Sequence, residues 1–409
     1  MANHSTDDEL YAWVRLACDE TLGTAQALKV AQDFGGPRQM FSQPLNALRD
    51  VAPEPLATLI AAAPSALVSR RIEQAIAWSI QPGHALLHPA HPDYPAMLLQ
   101  APGHPALLFA QGHLGCLRRE ALAIVGSRNA TADGEDNARA FARRLAQHGL
   151  CIVSGLALGI DAAAHRGALD AGPEGAGTIA VLGTGADLIY PTSNAALAAR
   201  ILAQEGLIIT ELPLGSPPRS ANFPRRNRIV AGLARGVLVV EAAQRSGSLI
   251  TARLAADMGR EVFAIPGSIH SPLSRGPHAL IQQGAKLVEQ EADILGELPC
   301  ANGQQHHRPF APVAAAQLRG NHGEEGDHDA PGKHAVVPPH ASPLWPAIGY
   351  DPVTEDTLQQ RSGLLPAILQ AELLALELAG HVRRGLDGRV SRVRRPGRPR
   401  TRTESQERP

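Results

Sequence analysis

The sequence predicts an α/β protein: a doubly wound, mainly parallel sheet with an N-terminal helical domain and a C-terminal winged-helix domain. Three observations carry that expectation. Short apolar runs recur between about 82 and 298, each ending in a Gly-rich turn and followed by a segment of helical period. Residues 1–81 show helical spacing instead. Residues 344–395 read as two helices and then a hairpin.

In the first domain, Leu10, Trp13, Val14, Leu16 and Ala17 recur at helical spacing, and Gly23 and Gly35-Gly36-Pro37 break the pattern. A small bundle with no binding role of its own is expected. In the second domain, 82–298, the strand runs are Leu122–Val125, Cys151–Val153, Thr178–Leu182, Leu207–Thr210, Val237–Val240, Val262–Ile265 and Lys286–Val288. Continuous apolar runs suit strands buried on both faces. Intervening segments such as Asp136–His148 and Leu249–Met258 have helical length and period. Such units wind a parallel sheet with right-handed crossovers, and ligands then sit beyond the strands' carboxyl ends. Residues 299–343 are rich in Gly, Pro and His without periodicity, so a flexible linker is expected. Next, Thr354–Arg361 and Leu365–Ala379 read as helices, the second closed by Gly380, and an Asp387-Gly388 turn joins two short strands. Residues 396–409 read as an Arg-rich disordered tail.

Composition narrows the function. Lys plus Arg number 38 against 39 Asp plus Glu, a formal charge of −1, so the global basic excess of a duplex-DNA binder is absent. Any nucleic-acid contact must rest on a local patch. Aromatic residues are only 3% of the chain, so a ring outside the apolar runs carries information. Cys18, Cys116, Cys151 and Cys300 are scattered with no CxxC, which argues against structural zinc or a disulfide framework. The opening MANHSTDDEL lacks the features of a signal peptide, and no stretch has the length and apolarity of a membrane span. A cytoplasmic protein without a membrane partner is expected. The sequence has no GxSxG, Walker A, HExxH or metal-spaced cluster. No catalytic residue, metal or cofactor is expected.

The turns at the carboxyl edge carry the candidate site. Val125-Gly126-Ser127-Arg128 is a strand-to-helix turn of the kind that offers N–H groups to an anion. GxGxxG is missing, and Ser154-Gly155 stands where a dinucleotide site would place an acidic ribose ligand. Arg128 alone fits an anion contact or a surface ion pair equally. Asp161 and His165 share a helix face, which suits a local cap or ion pair better than a metal or an acid/base pair, since no third ligand is near in sequence. Gly183-Thr184-Gly185 permits close approach of backbone to a ligand, or serves only the turn. Asn222-Phe223-Pro224-Arg225-Arg226-Asn227-Arg228 is the most telling segment, with cations for phosphates and a ring for bases. Pro224 disfavours helix for the residue before it, so the Phe223 ring is expected to project from a loop. Arg245, Ser246 and Ser248 flank another helix start, where capping and phosphate contact are equally good readings. Pro266-Gly267-Ser268 and Ser274–His278 read in the same way.

Six strings occur in one order: IVGSR (Ile124–Arg128), SGLALGIDAAAHRGAL (Ser154–Leu169), VLGTGAD with Tyr190-Pro191, NFPRRNRIVAGL (Asn222–Leu233), SGSLITA (Ser246–Ala252) and PGS (Pro266–Ser268). Together with Asp93-Tyr94-Pro95 and Pro105–Gly112, they resemble the DNA-processing protein A (DprA/Smf) family over roughly 82–298. The resemblance implies an extended Rossmann-like core behind a SAM-like helical domain. It implies binding of single-stranded DNA in natural transformation, protection of incoming strands, help in loading the recombinase RecA, and a homodimer formed through the core. Carried over, the groove residues are Gly126, Ser127, Arg128, Phe223, Arg225, Arg226 and Arg228. The residue reading adds Arg219, Asn222, Arg245, Ser246 and Ser248. Some relatives place a Lys shortly before the aromatic residue, where this chain has Arg219-Ser220-Ala221-Asn222; His278 stands where many have Asn.

Two other readings compete. One is a nucleotide-processing enzyme, a phosphoribohydrolase on a similar sheet. Such enzymes use PGGxGTxxE, whereas Arg245–Thr251 has no trailing Glu. The other is duplex binding by the winged helix, but Ala367–Ala379 carries Glu372 and Glu377 and no Arg or Lys, so protein contact is preferred there.

Overall fold

The computed structural model describes residues 2–298, 342–385 and 387–393. The linker expected over 299–343 lies outside the described residues up to 341, and the tail expected over 396–409 lies wholly outside them. Two compact units form, the first holding the N-terminal helices and the large sheet, the second the C-terminal helices and hairpin.

The first unit opens with α1 (Ala2–Cys18), α2 (Thr24–Asp33), α3 (Pro37–Phe41), α4 (Leu45–Arg49), α5 (Glu54–Ala61) and α6 (Ala66–Ser79). The breaks follow from residue chemistry. Pro37 begins α3, where a missing N–H costs nothing, and the Ser65 hydroxyl caps α6 by accepting from Val68 N at 3.3 Å. Trp13, Val14, Leu16, Ile60 and Ile72 share one core with Leu107 and Phe109 of the sheet region. The helices therefore pack on the sheet, with Trp78 and Phe109 at a centroid distance of 5.7 Å.

Nine strands form the sheet: β1 (His84–Leu87), β2 (Leu108–Gly112), β3 (Ala121–Val125), β4 (Cys151–Ser154), β5 (Thr178–Val181), β6 (Leu207–Thr210), β7 (Gly236–Val239), β8 (Glu261–Ala264) and β9 (Lys286–Leu287). Their order is β1-β2-β6-β5-β4-β3-β7-β8-β9. Strands β3 to β9 run parallel, and each of the predicted runs forms one of them. Sequence reasoning missed β1 and β2, which pair antiparallel with each other and with β6.

The helices of the sheet region are α7 (Ala96–Leu99), α8 (Ala132–Gln147), α9 (Ile160–Leu169), α10 (Ala195–Ala203), α11 (Asn222–Leu233), α12 (Ser248–Asp257), α13 (Arg275–Gln282) and α14 (Glu291–Leu295). Alternate strand residues face opposite sides. Ala123, Val125, Val153, Val181 and Val239 pack with Ile229 and Val230 of α11 and Leu249 of α12. Leu122, Ile124, Ile152 and Leu238 pack with Ala138 and Leu145 of α8 and Ala163 of α9. The chain thus winds β3 to β6 in one direction and restarts at β7 on the other side of β3. The loops after β3 and β7 consequently meet at the topological switch, where Ser127 N donates to Glu241 O at 2.7 Å.

The second unit contains α15 (Glu355–Ser362), α16 (Pro366–Leu378), β10 (Val382–Arg384) and β11 (Val390–Arg392). Thr354 caps α15, and Gly380 (φ 68°) follows α16 in the left-handed conformation. Leu358, Leu369, Leu373, Leu376, Val382 and Val390 form its core. Two helices followed by this hairpin make the winged helix. Among the described residues no helix is long and apolar enough to cross a membrane.

Candidate nucleic-acid interface

Helix α11 organises the carboxyl edge. Its first turn contains Phe223-Pro224, so the ring does not stand on a loop as the residue order suggested. The reason is positional: the first turn of a helix has no i−4 carbonyl to clash with Pro and needs no N–H from it. From there Phe223 lies half-buried over Gly183, where an added Cβ would come 2.8 Å from Cδ1 of the ring. The glycine is needed for this close approach. The Tyr190 ring lies 5.7 Å from that of Phe223 at 40°, and Tyr190 is 43% exposed. Arg128, exposed at the end of the β3 turn, holds its guanidinium carbon 5.1 Å from the Phe223 centroid.

The other candidate residues divide into two groups. Arg219, Arg225 and Arg245 are exposed, like Arg128, and none of the four has a carboxylate partner among the described residues. Arg226 and Arg228 are already engaged. Arg226 is only 6% exposed and donates from Nη1 to Gly155 O at 2.6 Å and to Val181 O. Its placement on the DNA-facing surface is therefore corrected: this guanidinium ties the ends of β4 and β5 to α11 from within. An added Cβ at Gly155 would collide with it. Arg228 pairs with Glu211 at the end of β6, and both side chains are largely covered.

The amides and hydroxyls also hold the edge together. Asn222 Nδ2 donates to Gly183 O at 3.3 Å and Pro217 O at 3.4 Å, while Asn227 Nδ2 donates to Gly247 O at 3.2 Å. Gly126 is closely packed: an added Cβ would stand 2.6 Å from Cγ1 of Ile160 and 2.8 Å from Glu241 O. Ser127 Oγ accepts from Asn129 N at 3.1 Å. With Ser127 N taken by Glu241, the turn presents fewer free N–H groups than its sequence suggested. Ser246 Oγ bonds Ser248 Oγ at 2.6 Å and accepts Ser248 N at 3.3 Å. The Ser246 hydroxyl thus takes the first N–H of α12, and Ser248 is buried. His278 accepts from Gly267 N at 3.3 Å, which fixes that loop.

Asp161 and His165 have separate partners. Asp161 is buried and accepts Gly155 N at 3.1 Å and Ala157 N at 3.4 Å, the local cap preferred from the sequence. Burial pushes its carboxyl pKa up, against the opposing charge of Arg226. His165 Nδ1 lies 2.7 Å from Thr178 Oγ1, whose own proton goes to Ile152 O, so Nδ1 is the donor. Burial, with the Arg226 charge next, pushes the imidazole pKa down to about 3. Asp161 thus holds the loop after β4, and His165 ties α9 to β5. The candidate set omitted Tyr190. Its signal was an aromatic residue just beyond a Gly-rich turn in a chain with few rings.

Comparison with known proteins agrees with this architecture. The family described as DNA recombination-mediator protein A matches residues 85–299, and the DprA winged helix domain matches 328–392. Protein Smf of Escherichia coli (strain K12) is 42% identical over 326 residues, 80% of this chain and 82% of that protein. DNA processing protein DprA of Streptococcus pneumoniae is 48% identical over 204 residues, 50% of this chain and 71% of that protein. The X-ray structure of DprA from Streptococcus pneumoniae superposes with a TM-score of 0.59 at 37% identity, over 71% of this chain and 98% of that one. The chain belongs to the DNA recombination-mediator protein A (DprA/Smf) family.

Proposed function

We propose that the protein binds single-stranded DNA across the carboxyl edge of its sheet, without catalysing a reaction on it. Bases stack on Phe223 and Tyr190, and Arg128, Arg219, Arg225 and Arg245 take phosphates. The observation that carries this reading is the position of Arg128 over the Phe223 ring, with no carboxylate partner for its guanidinium among the described residues. A flat ring beside free cations suits an unpaired strand, whose bases are exposed; in a duplex the rings stay stacked. The buried partners of Asp161 and His165 favour a binding role over acid–base chemistry at this edge. The relatives' names, DNA processing protein and recombination mediator, support DNA as the ligand class.

The role that fits is protection of incoming strands in natural transformation and their transfer to RecA, by a cytoplasmic homodimer formed through the sheet unit. Titration of labelled single-stranded and duplex oligonucleotides, with and without ATP, tests the reading. Preference for the single strand, independent of ATP, is expected. Equal affinity for both forms, or wild-type affinity in both Arg128→Ala and Phe223→Ala, would remove the assignment.

A further inference from the structure

A cleft of about 910 Å³ opens between the N-terminal helices and the segment joining β6 to α11. That volume stands at the upper end of the range for ligand sites. Its walls include Gln26, Lys29 and Gln32 of α2 on one side and Leu212–Pro217, Arg219, Asn222 and Arg225 on the other. Arg71 and Arg228 also line it, but Glu20 holds the first at 3.2 Å and Glu211 pairs with the second. Lys29, Arg219 and Arg225 are exposed and have no carboxylate partner among the described residues. The cleft is thus electropositive on both walls, although the chain as a whole is close to neutral.

We propose that this cleft receives the continuation of the DNA strand, making the N-terminal helices a second wall of the binding path. The inference rests on the function proposed above. Asn222 makes the two sites contiguous: it lines the cleft and bonds Gly183 O, the glycine against which Phe223 packs. A strand leaving the Phe223 ring past Asn222 enters between α2 and the Leu212–Pro217 segment, with phosphates reaching Lys29, Arg219 and Arg225. Among the described residues no Phe, Tyr or Trp lines the cleft, and a lone nucleotide would use such a ring as its stacking platform. Separated cations and the amides of Gln26 and Gln32 suit a sugar–phosphate backbone instead.

The test uses the full chain and oligothymidylates of about 6 and about 20 nucleotides, the short one sized for the aromatic site alone. Lys29→Glu and Gln32→Glu alter exposed side chains on α2, with circular dichroism confirming the fold. Lys29→Glu is expected to weaken the long oligomer about fivefold and reduce its salt slope by about 0.7, leaving the short one unchanged. Gln32→Glu should shift in the same direction. Unchanged binding of the long oligomer in both variants, or equal weakening of short and long, would overturn the proposal. Arg128→Ala is the separating control: if it weakens both lengths while the α2 variants weaken neither, the edge site stands and only the cleft path fails.

Discussion

The Arg128 guanidinium lies over the Phe223 ring, its central carbon 5.1 Å from the centroid, and Tyr190 stands on the same ring at 5.7 Å. One ring is thus flanked by a cation and by a second ring. Phe223→Ala should weaken binding of single-stranded DNA by about 1–3 kcal/mol, the usual worth of one stacked base. Tyr190→Ala should cost less, because Phe223 remains. Arg128→Ala and Phe223→Ala should combine to less than the sum of their separate effects, since each loses part of a shared contact. A double-mutant cycle by fluorescence anisotropy checks this; strict additivity would show that the two side chains act independently.

Arg226 gives a stability prediction. Its buried guanidinium donates to the carbonyls of Gly155 and Val181 and faces the buried Asp161 carboxylate. Arg226→Met strands two carbonyls and leaves Asp161 without its opposing charge. A loss of about 3–5 kcal/mol is expected in urea denaturation. A variant as stable as wild type would mean that this guanidinium is dispensable to the loops.

The same residue shows where the sequence stopped being informative. Parallel strands were legible because burial on both faces demands continuous apolar runs, as in Ala121–Val125 and Leu207–Thr210. Leu108–Gly112 passed unnoticed: its apolar half is short, it ends in Gln111-Gly112, and its partners are antiparallel. The arginines of Asn222–Arg228 look alike in sequence. What separates Arg226 from Arg225 is helix phase and carbonyls 71 and 45 residues away, which composition cannot reveal. Phe223 lies beside Arg128 but in the first turn of a helix and not on a loop, because a Pro in that turn meets no i−4 carbonyl and leaves no intrahelical N–H bond unmade.

Salt dependence follows from that division. With Arg226 buried and Arg228 paired, four of the candidate arginines are exposed: Arg128, Arg219, Arg225 and Arg245. At about 0.7 ion per phosphate contact on a single strand, these four alone predict a log K against log salt slope of about −3 for a strand long enough to reach all of them. Arg245→Ala should reduce its magnitude by about 0.7. A slope near zero would mean that binding does not rest on phosphates.

His165 predicts how stability responds to acid. Its pKa in the fold is pushed down to about 3, against about 6.5 in an unfolded chain. Above pH ~6.5 the imidazole is neutral in both states, and its contribution is fully present. Below that, the unfolded chain takes up the proton first, and stability falls by about 1.4 kcal/mol per pH unit until the folded pKa is passed. Asp161, whose pKa is raised, contributes with the opposite sign as pH falls through its own titration. Replacing only the histidine isolates its part. His165→Leu keeps the bond from Thr178 Oγ1 to Ile152 O and removes the titrating group. Urea denaturation at pH 6.5 and 5 should show the variant losing about 2 kcal/mol less than wild type over that interval. Equal losses in the two proteins would mean that His165 is protonated in the folded state as readily as in the unfolded chain, and that its buried site does not oppose the charge.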